Sequence, residues 1–241
     1  MPVVTVLSSS VSPFTFNAHL DTELSASRFQ SAFARPSGIL AALARTLAAR
    51  DETMHAHAER VRHYAVALAR EVCIADRTIE AIDMAALLHD IGKLGIPDRV
   101  LQKPGPLSRE EYEQVKAHAA IGGDLVSAAA FAGPLMLFVR HHHECWDGTG
   151  YPDQLAGQSI PLGARVLGIV DCYDALTSDR PYRAALSHDS AVGILAARRG
   201  TMYDPALTDA FLKIVPRLRM GARLARVGNG ARCMEQEARS V

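Results

Sequence analysis

Aromatic residues are scarce in this chain, at 6% of 241, whereas nearly half of all residues are apolar and Ala and Leu dominate. That balance excludes a disordered chain and does not suit a β-sandwich; it suits an all-α protein with a real core. Net charge is missing as well, since 26 Lys and Arg balance 26 Asp and Glu. No global field therefore draws the protein to polymeric nucleic acid or to an acidic membrane, and local groups would have to hold any anionic ligand. No apolar run is long enough to span a membrane. The longest, Leu125 to Val139, falls short of the ~20 residues required and is broken at Gly133-Pro134. It reads as two buried helical pieces joined by a turn. Cys73, Cys145, Cys172 and Cys233 form no Cys-x-x-Cys pair, so free thiols and a cytoplasmic location are expected. The N-terminus has no basic start followed by an apolar stretch, and no signal peptide is expected there.

What is present is helical periodicity. Residues 1–37 form an extension with little periodicity and no assigned role, closed by Pro36-Ser37-Gly38. Leu40, Leu43, Leu47 and Met54 then recur at helical spacing, followed by His57, Val61, Tyr64, Ala65, Leu68 and Val72 on one side. A second helix is predicted over Arg77–Asp90, stopped by Gly92. Prolines make Ile96–Leu107 a loop. Ser108 before Arg109-Glu110-Glu111 offers an N-cap with acidic residues in the first turn, opening a helix through His118 to Ile121. Further helices are predicted from Pro134 to about Glu144 and from Pro161 to Leu176, with helical segments through Leu212. The glycine- and proline-rich stretch Gly148 to Pro161 must be a loop. Residues 38–215 read as one domain, and 216–241 as a basic, loosely ordered tail with six arginines against two glutamates.

Ten histidines are many for this length. His89-Asp90 closes an apolar helix, and burying both side chains beside leucines is costly unless something satisfies them. A divalent metal does so. Neighbouring helical residues point about 100° apart, so the imidazole can take one ion while the carboxylate reaches a second. His141-His142-His143-Glu144 repeats the argument, with adjacent histidines each serving a different ion. His57 and His118 lie on separate helices with inward apolar faces, and Asp171 follows the apolar run Val166 to Val170. Imidazole and carboxylate donors without thiolates suit iron, manganese, nickel or zinc and argue against a Cys-rich zinc site. His19, His55, His63 and His188 are expected at surface or satisfied core positions instead.

Leu87-Leu88-His89-Asp90-Ile91-Gly92-Lys93 and His142-His143-Glu144-Cys145-Trp146-Asp147-Gly148-Thr149-Gly150-Tyr151-Pro152 resemble the HD-GYP family of cyclic di-GMP phosphodiesterases, a group of HD-domain metal-dependent phosphohydrolases. The likeness runs from near Ile39 to Val215. It takes in His57-Ala58-Glu59-Arg60-Val61, Lys103 to Leu107, His118 with Gly122, Arg165, Asp171 to Arg183 and Gly200 to Pro205. The resemblance implies an HD-domain helical bundle with a metal centre between helices and a Gly-Tyr-Pro loop at the site mouth. It implies His57, His89, Asp90, His118, His142, His143 and Asp171 as ligands, with Asp90 bridging two divalent ions. Iron or manganese comes first, with nickel, zinc or magnesium as alternatives. Some members hold a third ion through a glutamate one turn before the first histidine. Thr53 stands there, with Glu52 one place off, so two ions are expected. Cys145 replaces a usual basic residue, a change expected to alter the site rim and not the metal.

The same resemblance makes Asp90 and Lys93 the expected catalytic residues. Lys93, Gly150, Tyr151, Arg180 and Arg183 are the expected substrate contacts, with Tyr151 stacking on a guanine and the arginines forking onto phosphate. Asp174 is expected to orient a ligand or an arginine. The implied reaction is hydrolysis of cyclic di-GMP to linear pGpG, with onward cleavage to GMP left open, in bacterial second-messenger signalling. Two ions about 3.5–4 Å apart would activate water and relieve phosphoryl charge. The alternatives are another cyclic dinucleotide as substrate, a non-catalytic receptor, or a different His-Asp hydrolase or di-iron enzyme; Gly150-Tyr151-Pro152 and Thr177 to Arg183 argue against the last two. A homodimer through the apolar face of the Ile39 to Leu47 helix is the partner expectation beyond the substrate.

Overall fold

The computed structural model describes residues 52–129, 133–179 and 183–219, together with Gly38, Ala42, Arg45 and Thr46, and side chains of the first long helix from Met54 onward. Among the described residues the elements are helical and no strand forms. They are α1 (Glu52–Glu71), α2 (Asp76–Leu88), a 3-10 turn (Ile91–Gly95), the short α3 (Asp98–Leu101), α4 (Arg109–Ala128) and α5 (Pro134–His141). A second 3-10 turn (Gly157–Ser159), α6 (Leu162–Thr177), α7 (His188–Ala197) and α8 (residues 205–219) complete the bundle.

α6 is the axis of the fold. Val166, Leu167, Ile169, Val170 and Tyr173 are each fully buried, leaving the helix little polar face. A helix apolar on most sides must be surrounded, and α1, α2, α5 and α7 pack around it. α1 presents Val61, Ala65, Leu68 and Ala69 to the core, and α2 presents Ile82, Ala85 and Ala86. Tyr64, Tyr173 and Phe211 tie α1, α6 and α8 together edge to face, at centroid distances of 5.3, 6.0 and 5.3 Å. α4 begins on a full capping box: the Glu111 amide donates to Ser108 Oγ at 3.2 Å, and the Ser108 amide donates to Glu111 Oε2 at 2.7 Å. Such a cap stabilises a helix start by ~1 kcal/mol.

Several boundaries differ from the sequence expectation. α2 stops at Leu88, and the chain tightens into the 3-10 turn that carries Lys93. Gly92 does more than end a helix: a Cβ there would sit 1.9 Å from the His118 carbonyl oxygen, so the turn lies directly against α4. The loop expected over Ile96–Leu107 contains α3, where Pro97 fixes the N-cap and Val100 is buried. α5 ends at His141, and α8 continues to 219, past the boundary expected at 216. The extension 1–37, most of the 39–47 face offered as a dimer contact, and residues 220–241 lie outside the described residues.

Candidate metal centre

His57 comes from α1, His89 and Asp90 follow the last turn of α2, His118 lies within α4, His142 and His143 follow α5, and Asp171 lies in α6. His89, His118 and His142 are 2%, 1% and 1% exposed. Each points Nδ1 at a main-chain carbonyl three residues back: Ala86 at 2.8 Å, Val115 at 2.7 Å and Val139 at 2.7 Å. A carbonyl only accepts, so Nδ1 carries the proton and the neutral ring presents a bare Nε2. The Nε2 atoms of His118 and His142 face each other at 3.4 Å. Burial pulls the pKa of both imidazoles down, which keeps them neutral. Two lone pairs at that distance repel in a dry site, and a cation between them removes the conflict. His143 joins this group with its donor nitrogen within 4.8 Å, and burial lowers its pKa to about 4.

His57, His89 and Asp90 form a second group, with 3.3 Å between the two Nε2 atoms. Asp174 orients His57, accepting from Nδ1 at 2.7 Å, and is itself gripped by Arg60 at 2.6 and 3.0 Å. Asp171 Oδ1 lies 3.3 Å from His57 Nε2 and 3.9 Å from His89 Nε2. Burial pulls the His57 imidazole down, but its hydrogen bonds to Asp171 and Asp174 outweigh that and lift it to about 9. Asp90 spans the two groups, with Oδ2 3.6 Å from His89 Nε2 and Oδ1 3.6 Å from His118 Nε2. Burial alone would raise the Asp90 pKa; Lys93 and the imidazoles of His89, His118 and His57 hold it well below the usual carboxylate range. Imidazoles and carboxylates without thiolates, arranged as two groups sharing one carboxylate, are a donor set that fits two divalent ions.

All seven candidate ligands are thus brought together. His142 and His143 both group with His118, and the His142 ring stands as close to that of His89, at 5.2 Å, as to that of His118, at 5.3 Å. α5 ends at His141, and the rings of His142 and His143 lie 4.0 Å apart. Of the histidines set aside, His55 and His63 are exposed and His188 pairs with the Tyr173 hydroxyl at 3.0 Å. His19 lies outside the described residues.

At the mouth, the Lys93 ammonium sits 2.7 Å from Asp90 Oδ2. Gly150 is buried where a Cβ would meet the Cys145 nitrogen at 2.2 Å, so only glycine lets the loop fold back on Glu144 and Cys145. Buried Glu144 accepts from the amides of Asp153 at 2.7 Å and Leu155 at 3.1 Å. Asp153 in turn pairs with Arg140 at 2.8 and 2.9 Å and with His141 at 2.9 Å. These bonds bring the half-buried Tyr151 ring against His143, with centroids 4.9 Å apart and planes tilted by 31°. Arg183 is exposed and donates to the Ala175 carbonyl at the end of α6, whereas Arg180 and the side chains of Glu52 and Thr53 lie outside what is described. Arg60, Arg140 and Asp153 were not singled out from sequence. One signal existed for Arg60: it follows His57 by three residues, as Asp174 follows Asp171. An open groove of about 810 Å³ lined by Glu59, Arg62, Val66 and Asp83 is a separate feature. Those α1 residues face away from His57 on a helix of 3.6 residues per turn.

A family model described as HD domain matches residues 41–207. The chain belongs to the HD domain family, within its HD-GYP group. It is 43% identical over 176 residues to the cyclic di-GMP phosphodiesterase response regulator RpfG of Xanthomonas campestris pv. campestris, a match covering 72% of this chain and 47% of that protein. It is 38% identical over 175 residues to the 3'3'-cGAMP-specific phosphodiesterase 3 of Vibrio cholerae, covering 73% and 38% respectively. The chain therefore spans half or less of the length of these curated relatives. In fold it is similar to Bd1817, an HDG"Y"P protein from Bdellovibrio bacteriovorus, with a TM-score of 0.58 at 22% identity over 69% of this chain and 53% of that one.

Proposed function

We propose that this chain is a metal-dependent phosphodiesterase that hydrolyses cyclic di-GMP to linear pGpG in the cytoplasm, using residues 38–215 and two divalent ions, iron or manganese. The observation that carries this reading is the pair of facing imidazole groups joined through both oxygens of Asp90. Bound divalent ions would supply Lewis acidity and a water of lowered pKa near neutral pH. The chain's own residues do the rest. Asp174 orients His57, and carbonyl bonds fix the tautomers of His89, His118 and His142, so that Nε2 is the donor atom of each. Lys93, beside Asp90, places a positive charge where phosphoryl charge grows in the transition state. Tyr151 stacks on a base, Gly150 lets the loop approach, and Arg180 and Arg183 serve the nucleotide phosphates.

A second reading keeps the chemistry and changes the substrate to the mixed cyclic dinucleotide, favoured by the 38% identity to the Vibrio relative named for it. The test is to purify the protein without chelators and incubate it with each cyclic dinucleotide beside His89→Ala and Asp90→Ala. Chromatography should show linear dinucleotide formed by the parent alone, with about two metal equivalents bound. Bound metal with no turnover of either substrate, even with added Mn²⁺ and reductant, would favour a non-catalytic receptor.

A further inference from the structure

We propose that Tyr112 and Lys116 of α4 extend the substrate site outward, holding the second base and the non-reacting phosphate of the cyclic dinucleotide; this rests on the phosphodiesterase reading above. Tyr112 and Lys116 are one turn apart on α4, two turns and less from His118. The Lys116 ammonium lies 5.5 Å from the Tyr112 ring centroid and 5.6 Å from the Tyr151 ring centroid. It therefore links two aromatic rings from different elements. Tyr151 itself lies against His143, one of the imidazoles of the metal centre. A continuous row runs outward from the cluster: His143, Tyr151, Lys116, Tyr112. Tyr112 is 50% exposed, the most exposed large apolar side chain among the described residues.

The chemistry of a cyclic dinucleotide matches this row. Its ring carries two phosphates and two purines, so seating one phosphate at the metal centre leaves a second phosphate and a distal base beyond it. An ammonium flanked by two rings offers charge for that phosphate and aromatic surface for a base, a pairing common in nucleotide grooves. Among the described residues, the ion pair of Lys116 is with exposed Glu113, at 2.7 Å. Such a solvent-screened pair is weak and exchanges readily for a phosphate. The row also separates two kinds of substrate: a small diester lacking a second phosphate and a base has nothing to place on Tyr112.

The test is steady-state kinetics of the metal-loaded parent, Tyr112→Ala, Tyr112→Phe and Lys116→Ala on cyclic di-GMP and on bis(p-nitrophenyl) phosphate. Tyr112→Ala and Lys116→Ala should each raise KM for cyclic di-GMP roughly tenfold or more. Their loss of kcat/KM on cyclic di-GMP should exceed their loss on the small diester by a similar factor, and Tyr112→Phe should recover most of it. An unchanged KM for cyclic di-GMP in Tyr112→Ala overturns the proposal. So does an equal loss on both substrates, which would mark a structural role acting through α4. A parent that cleaves the small diester but neither cleaves nor binds a cyclic dinucleotide overturns the cyclic dinucleotide reading of the site itself. That result is told apart from failure of the platform alone, which is scored only against an active parent.

Discussion

Replacing Gly92 by alanine tests how the metal centre is held, because the substitution alters no candidate ligand's side chain. The new Cβ would lie 1.9 Å from the His118 carbonyl oxygen, 2.5 Å from the Gly122 nitrogen and 2.8 Å from the His118 carbonyl carbon, all main-chain atoms that no rotamer change can move. Opening the first contact to 3.0 Å, below which Cβ contacts are essentially never found, requires the 3-10 turn and α4 to part by about 1 Å. The same turn carries Asp90 at its start, and Asp90 Oδ1 is 3.6 Å from His118 Nε2. Metal sites tolerate ligand displacements of only about 0.2 Å. Overpacking of this kind costs about 1–3 kcal/mol of stability, and a 1 Å misplacement at a reacting centre costs about 100-fold in rate. Gly92→Ala should therefore melt several degrees lower, bind less metal and lose about two orders of magnitude of turnover. Gly193→Ala on α7, where nothing lies within 4 Å, is the control and should be neutral or stabilising. Elemental analysis, a thermal melt and the turnover assay read the outcome. A Gly92→Ala protein with parental metal content and turnover within about twofold of the parent would refute this account of the spacing.

Asp174→Asn removes the charge that orients His57 and grips Arg60, and should weaken metal binding about 10- to 100-fold in competition with a chromophoric chelator; unchanged affinity would show that His57 needs no such support. Glu144→Ala should free the amides of Asp153 and Leu155, cost about 1–3 kcal/mol in chemical denaturation and expose the loop to protease, whereas an equally resistant loop would contradict its anchoring role. The bond from Arg140, with help from His141, holds the Asp153 carboxyl at about 2. A depressed folded pKa contributes stability that is complete above the unfolded value of about 4 and lost as pH falls toward 2. The stability gap between parent and Arg140→Ala should thus be full at neutral pH and vanish near pH 2, remaining small because Asp153 is 38% exposed. A gap that grows on acidification would reverse the assigned sign.

Features written in short spans of sequence were legible. α4 announced itself through Ser108 and Glu111, and both bonds of the capping box form. The seven candidate ligands stood out because imidazoles and carboxylates adjoin apolar runs, and the structure gathers them between helices. Features that depend on which helices meet were not legible. Arg60 and Asp174 are 114 residues apart, and nothing local says that α1 and α6 touch there. Gly92 read as a helix stop, but its greater role is the close approach to α4, which only the packed structure reveals. The early end of α5 at His141 was hidden because His142 and His143 are as compatible with a helix as with the turn they form.

The most direct measurement of the central claim is to strip the protein with chelator and titrate Mn²⁺ or, without oxygen, Fe²⁺ back while following cyclic di-GMP hydrolysis. The facing imidazole groups that share Asp90 predict no turnover in the stripped protein and a rise that saturates at about two equivalents per chain. Hydrolysis by the stripped protein, or full recovery at a single equivalent, would contradict a reaction run on two ions.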